Sequence, residues 1–375
     1  MAGIYIHIPF CRQACHYCDF HFSTNRSRES EMVQAIRREI EDRSNYVSEK
    51  IETIYFGGGT PSILSMGQIK EVLSTVKGAF EISSSAEITL EANPEDLSNE
   101  KLRGLRQLGV NRLSIGFQTF SDTKLKWMNR VHSSEEALNS FQNARDSGFE
   151  NVSVDLIYAL PEHGLDAWMK DLQLAANLNP EHISIYGLTI EERTVFGKRK
   201  QSGELIEEPE EMAASQYLRT IEVLESKGYR QYEVSNFAKP GCESRHNSSY
   251  WAGAKYLGIG PGAHSYDGKS RRFNVRNNAM YLKAISTNGS YHESEELSQT
   301  QIANERILTC LRTRNGIDLE KFESDFEIKL LAIHEELIEQ LGKQNFLKIK
   351  DNKLYLTSTG FLVADEIALK LFFDE

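Results

Sequence analysis

Two periodicities take turns along the first half of the chain. Ile4, Ile6 and Ile8 alternate with Tyr5 and His7, the period-two pattern of a strand, and this run leads straight into a cysteine-bearing loop. Met32, Ile36 and Ile40 then fall on one face of a helix, with Ser30 near its start. A second strand, IETIYF (51–56), ends in Gly57, Gly58, Gly59, Thr60 and Pro61, and a third is AEITLEANP (86–94). A helix is expected over about 98–108, with Gly109 as its stop signal. RLSIGFQ (112–118), NVSVDLIYALP (151–161) and HISIYGL (182–188) supply three more strands, with helical stretches between them.

Six strands thus alternate with helices at a spacing of roughly 30–35 residues, the repeat that builds a parallel sheet or barrel. Each strand ends in a polar or glycine-rich sequence, and in such barrels the strand ends share the face that carries the active site. Six units fall short of the eight of a closed barrel. The fold class expected is therefore α/β, a partial, open (β/α)6 barrel over residues 1–228.

The pattern breaks after about residue 228. Residues 229–276 are rich in Gly, Ser, Asn and aromatic residues, including HNSSYW (246–251) and GIGPGAHSY (258–266), and 229–297 reads as a connecting region. From 298 to 375 the chain gives helices, then FLKIKDNKLYLT (346–357) as two strands around an Asp-Asn-Lys turn, then a last helix. This order suggests a small α+β winged-helix-like module.

Composition narrows the classes of function. Of the 375 residues, 40% are hydrophobic and 26% charged, an ordinary globular balance that excludes a disordered or fibrous chain. Lys and Arg number 43 against 54 Asp and Glu, a formal charge of −11. Nucleic acid is therefore not an expected partner, since phosphate contacts need a positive surface, and the winged-helix-like module has no basic face either. No apolar run approaches the ~20 residues of a transmembrane helix, and IYIHIPF lacks a basic leader and a cleavage site. A cytoplasmic protein is expected, with at most peripheral membrane contact.

Three of the five cysteines, Cys11, Cys15 and Cys18, fall within eight residues directly after the first strand. This clustering does not suit a disulfide framework. Thiolates favour iron–sulfur clusters or zinc. Three of them would hold three irons of a [4Fe–4S] cluster and leave the fourth open. The alternative is a Cys3His zinc site using His16 or His21. The spacing is not that of the usual zinc pairs, and a barrel of this size needs no metal staple.

CxxxCxxC at the end of the first strand, followed by GGGTP at the end of the second, resembles the radical S-adenosylmethionine (SAM) superfamily. IYIHIPFCRQACHYCDF resembles its HemN/HemW group more narrowly, and the likeness extends through LEANP, IGFQ, DLIYALP and the C-terminal module. The resemblance implies a cluster whose open iron takes the amino and carboxylate groups of SAM, with one-electron cleavage to a 5′-deoxyadenosyl radical. It also gives roles to the strand-end residues. Gly58, Gly59 and Thr60 let backbone approach the methionyl amine. Glu91 suits a ribose or amino contact, Gln118 and Asp155 the ribose or adenine, and Arg130 a methionyl carboxylate. Tyr5 and Tyr17 flank the cluster loop, and Thr189 is a further candidate. The resemblance extends to proteins that can hold two SAM molecules, which implies that these residues would be shared between two sites.

Within the group, three features point to the heme-chaperone branch. Residue 20 is Phe where the oxidases carry a fourth cysteine, and the first strand begins at about residue 3, without their N-terminal extension. HNSSYW matches the HNxxYW signature associated with heme in that branch: His246 with Asn247 offers an imidazole, and Tyr250 and Trp251 offer flat faces. Read from chemistry alone, the same segment is a buried polar turn. His264 and Cys242 are further ligand candidates, while Cys310 reads as packing. Lys269, Arg271, Arg272 and Arg276 read either as partners for heme propionates or as a solvated loop.

The function expected is a heme chaperone that binds a [4Fe–4S] cluster, SAM and heme and delivers heme to respiratory haemoproteins, with a flavodoxin- or ferredoxin-type electron donor. The alternatives are an oxygen-independent coproporphyrinogen III oxidase of porphyrin biosynthesis, and a HemN-like radical methylase or heme-degrading enzyme.

Overall fold

In a computed structural model describing residues 2–374, the first strand, β1 (Ala2–Ile8), is buried on both faces, with only Tyr5 partly accessible. The reason is its position inside the sheet. Parallel to it run β2 (Ile51–Gly58), β3 (Ile82–Ala92), β4 (Arg112–Gln118), β5 (Val152–Tyr158) and β6 (His182–Gly187), in that order. The six expected strands are all present. The helices between them pack their apolar faces on the sheet; Met32, Ile36 and Ile40 of Glu29–Asp42 are fully buried. The helix Asn99–Leu108 starts where the Ser98 hydroxyl accepts from the Lys101 N–H, and Gly109 ends it at φ 96°, a left-handed conformation that favours glycine.

The connecting region extends this sheet at both edges. On the β6 side come two short antiparallel strands, β7 (Arg230–Glu233) and β8 (Asn236–Ala238). On the other side β9 (Lys255–Ile259) lies parallel to β1, followed by β10 (His264–Tyr266), β11 (Ser270–Asn274) and β12 (His292–Glu296). The result is a twelve-stranded sheet with β12 and β7 at its edges. HNSSYW, read from chemistry as a turn, is instead the end of a helix, Arg245–Trp251, capped by the Ser244 hydroxyl.

A buried network locks the β9–β11 extension onto the first helix. Glu39 accepts from the Gly260 N–H (2.8 Å), Asn274 Nδ2 (2.7 Å) and the Tyr281 hydroxyl (2.6 Å), while Arg43 donates to the Gly258 carbonyl (2.8 Å) and Ser265 Oγ (3.0 Å). Most of these buried polar atoms gain a partner, which offsets their desolvation cost; Arg43 Nε and Asn274 Oδ1 do not.

The C-terminal module begins with the helix Gln299–Leu311 and carries a three-stranded antiparallel sheet of β13 (Ile317–Asp318), β14 (Leu347–Lys350) and β15 (Lys353–Leu356). The expected turn between the last two has Asp351 and Asn352 at φ 51° and 58°, the geometry of a tight hairpin. The module joins the barrel through backbone bonds from Val234 to Arg312 and from Arg314 to Tyr232. One large apolar core runs through both, and a smaller cluster lies around Leu125, Met128 and Phe196. No helix among the described residues is long and apolar enough to cross a membrane.

Candidate functional site

The strand ends open into one cavity of about 1080 Å³, walled by the barrel, the β9–β11 extension and the C-terminal module. Cys11, Cys15 and Cys18 all line it. Their loop is fixed from several sides. The Cys11 N–H donates to the Ser23 carbonyl (3.1 Å), and Arg12 pairs with Asp96 (2.6 Å), whose other oxygen accepts from Ser62 Oγ (2.7 Å). Gly59 passes so close to the loop that a Cβ there would stand 2.6 Å from the Phe10 carbonyl, which is why this turn needs glycine. The Thr60 hydroxyl donates to Cys11 Sγ (3.3 Å) and Arg130 Nη1 to Cys15 Sγ (3.5 Å).

These thiols fit an iron–sulfur cluster. Burial pushes Cys11 up to about 12 and Cys18 up to about 11, so their thiolates need the positive charge of a bound metal. A Cys3His zinc site would also need a fourth ligand, and neither histidine candidate turns to the cysteines. His16 turns Nδ1 to the Trp127 carbonyl (2.9 Å) and sets its ring edge-on to Phe196, and His21 spends Nε2 on Asn278 (2.7 Å). Among the described residues no three His, Cys, Asp or Glu side chains are gathered closely enough to hold a single metal ion.

Tyr5, Tyr17, Gly58, Gly59, Thr60, Glu91, Gln118, Arg130, Asp155 and Thr189 also line the cavity, so the strand-end residues expected around SAM are brought together. Glu91 is held by the Tyr55 hydroxyl (2.8 Å), yet burial pushes its carboxyl up to about 7. Asp155 accepts from the hydroxyls of Ser114 and Ser153, and burial raises its pKa too. An irregularity after Gly116 and φ 70° at Gln118 interrupt the pairing of β4 with β5 where Gln118 meets the cavity. Arg130 Nη2 already donates to the Gly116 carbonyl (2.9 Å) and Asn93 Oδ1 (2.8 Å), whereas its Nε is buried without a partner. Both Nη2 hydrogens and one on Nη1 are thus spent, which leaves Nε–H and the second Nη1–H rather than a free Nη1–Nη2 fork for an incoming acceptor.

The heme candidates divide. Tyr250 and Trp251 line the cavity, and Tyr256 and Tyr266 continue the aromatic wall. His246 and Asn247 do not reach it. His246 is buried, with Nδ1 2.7 Å from Thr53 Oγ1 and Nε2 2.8 Å from the Tyr250 hydroxyl, and its ring stacks 4.9 Å from Tyr55. Burial pushes its pKa down to about 3, so the ring is neutral. His264 lies on the wall, is exposed, and makes no side-chain hydrogen bond among the described residues. Cys242 is off the wall, and Cys310 packs against the core. Of the basic stretch, Arg271 and Arg276 line the cavity, and Arg272 lies over the Tyr291 ring.

Tyr256, Tyr266 and the face Ile302, Glu305, Arg306 and Thr309 of the C-terminal helix were not read from sequence as site residues. For the helix the available signal is spacing: these four positions share one face.

The comparisons with known proteins agree with this geometry. Residues 5–175 match the model of the radical SAM superfamily, and residues 297–363 match that of the HemN C-terminal domain. The chain is 37% identical to heme chaperone HemW of Bacillus subtilis (strain 168) over 371 residues, which is 98% of each chain. It is 36% identical to heme chaperone HemW of Lactococcus lactis over 372 residues, 99% of this chain and 97% of the other. Coproporphyrinogen III oxidase (HemN) from Escherichia coli shares the fold, with a TM-score of 0.86 at 22% identity over 99% of this chain and 90% of that one. The chain belongs to the radical SAM superfamily, in the family whose members are named heme chaperone HemW.

Proposed function

We propose that this protein is a heme chaperone of the radical SAM type, which binds heme beside the cluster and SAM and passes it to a respiratory haemoprotein. The observation that carries this reading is one cavity with two kinds of wall. Three cysteines, Glu91 and Arg130 form one part, and Tyr250, Trp251, Tyr256 and Tyr266 form another. At about 1080 Å³ it reaches the upper end of ordinary ligand sites, roughly 300–1,000 Å³, and has room beside SAM for a flat macrocycle. A porphyrin gains stacking and apolar burial on such an aromatic face.

When bound, the cluster and SAM supply one-electron chemistry that the polypeptide lacks. The chain's part is positional. Cys11, Cys15 and Cys18 hold iron, the turn at Gly58–Gly59–Thr60 leaves room for the methionyl end of SAM, and Glu91, Gln118 and Asp155, with Thr189, receive the nucleoside. The imidazole offered to heme iron is His264, because both nitrogens of His246 are spent on Thr53 and Tyr250. His246 instead holds Tyr250 in the wall.

Anaerobic titration of the reconstituted protein with ferric heme, with and without SAM, tests the proposal. Saturable binding of one heme per chain is expected. No saturable heme binding, combined with SAM-dependent decarboxylation of coproporphyrinogen III, would establish the oxidase reading in its place.

A further inference from the structure

Arg306 is a cation on the cavity wall that has no ion-pair partner among the described residues. It projects from the helix Gln299–Leu311 of the C-terminal module, next to Glu305. Three other arginines line the same cavity, and all are engaged: Arg130, on the cluster side, with Cys15 Sγ, Asn93 Oδ1 and the Gly116 carbonyl, Arg271 with Glu305 at 2.7 Å, and Arg276 with Asp19 at 3.8 Å. No Asp or Glu among the described residues forms an ion pair with Arg306. Its side chain is nonetheless half-buried. Water still reaches the guanidinium, whose near side-chain partner is the neutral Cys310 thiol, and a carboxylate arriving there would gain a charge-assisted, two-pronged contact.

The opposite side of the wall is shaped around it. Gly253, at φ 66°, stands two residues after Trp251, and a Cβ there would lie 2.4 Å from Arg306 Nη2. The guanidinium therefore packs on bare backbone beside the aromatic wall. Trp251 Nε1–H is itself buried without an acceptor. A planar fork of donors and an unused indole N–H thus belong to the same wall as the ring faces. Glu305 is the like charge nearest an incoming anion, and its pairing with Arg271 offsets the repulsion.

We infer that Arg306 receives a carboxylate of the ligand that stacks on Tyr250 and Trp251, namely a propionate side chain of a porphyrin. This rests on the heme-binding reading above. It also places the propionate contact on the C-terminal module rather than on the 269–276 stretch, which the sequence left open between propionate partners and a solvated loop. The module then closes the cavity and selects for an acidic macrocycle.

The test compares ferric heme with its dimethyl ester, which keeps the ring and iron but loses both carboxylates. With the reconstituted full chain under anaerobic conditions, wild type should bind the free acid at least ~10-fold more tightly than the ester, the scale of one charge-assisted hydrogen-bonded pair. Arg306→Ala should lower affinity for the acid by about that factor and abolish the preference, leaving ester affinity, SAM affinity and cluster absorbance unchanged. Arg306→Lys, which keeps the charge but not the fork, should retain a reduced preference and guards against misfolding of the alanine variant. A fall in SAM affinity with the acid–ester preference intact would assign Arg306 to the methionyl carboxylate and overturn the inference. Equal loss of acid and ester affinity would also overturn it, by making Arg306 structural. If wild type bound neither, the heme-chaperone reading itself would fall.

Discussion

His246 Nε2 lies 2.8 Å from the Tyr250 hydroxyl while His246 Nδ1 lies 2.7 Å from Thr53 Oγ1, so one neutral imidazole bridges β2 and the aromatic wall of the cavity. The two residues stand four apart on the helix Arg245–Trp251, the spacing that brings side chains together on one face. A ring held at both ends and stacked on Tyr55 acts as a strut for the wall.

His246→Ala should therefore act on stability first. It removes two buried hydrogen bonds and leaves a void, which costs about 3 kcal/mol, or roughly 4 °C in Tm for a chain this long. Heme affinity should fall modestly as Tyr250 loosens, with the axial-ligation bands unchanged. His264→Ala should change those bands while leaving Tm nearly the same. Thermal melts and heme absorbance spectra of the two variants check this; the reverse pattern would return His246 to the iron.

The cysteines should separate cleanly into two groups. Substituting Ser for Cys11, Cys15 or Cys18 should abolish the brown chromophore and its content of about four irons and four sulfides per chain. Cys242→Ser and Cys310→Ser should keep it, since neither thiol lies on the cavity wall. Iron and sulfide analysis after anaerobic reconstitution decides. One zinc per chain without sulfide in the wild type would defeat the cluster assignment.

These expectations show what could be read before the fold was known. The six parallel strands were legible because each is six to eleven residues long with a buried, largely apolar run, and signals such as Gly109 punctuate the helices between them. Strands β9 to β12 were not. They are three to five residues long, Gly260, Gly262 and Gly268 interrupt them at positive φ, and β12 reads HESEE because it is an exposed edge. The site followed the same rule. CxxxCxxC and GGGTP are contiguous in sequence and carry their chemistry on their face. Tyr256, Tyr266 and Arg306 meet only because β9 adds beside β1 and the C-terminal helix docks against it, long-range events that no local spacing records.

Asp96 should prove important to the cluster without touching it. Its side chain is fully buried, accepts from Ser62 Oγ and pairs with Arg12, which lies between Cys11 and Cys15. One carboxylate thus ties the cysteine loop to the segment after the glycine turn. Asp96→Asn keeps the shape but weakens the charge-assisted contact, at a cost of about 1–3 kcal/mol. The cluster should reconstitute to lower occupancy and decay faster in air, while a variant at the exposed pair of Lys343 and Glu339 should behave as wild type. Iron occupancy and the rate of bleaching provide the measurement.

Glu91 sets a pH dependence for the SAM side of the cavity. Burial raises its carboxyl from 4.5 to about 7, with the neighbouring charge of Asp155 adding to the effect and the Tyr55 hydroxyl opposing it. A folded-state pKa above the unfolded one means that the native state holds the proton more tightly. The stability this contributes is complete below pH 4.5 and is lost as pH rises through about 7. Ligand binding runs the opposite way. A carboxylate that accepts from ribose hydroxyls must be ionised, so SAM affinity should climb as pH passes through about 7 and level off above it. Glu91→Gln removes the titration: its free protein should lose the corresponding fall in Tm between pH 5 and 8, and its SAM affinity should be weaker, by about tenfold at pH 8, and flat across the range. Calorimetric titration with SAM at several pH values, beside melts of the free protein, reads both trends. A wild-type SAM affinity that is flat from pH 6 to 8 would remove Glu91 from the nucleoside contact.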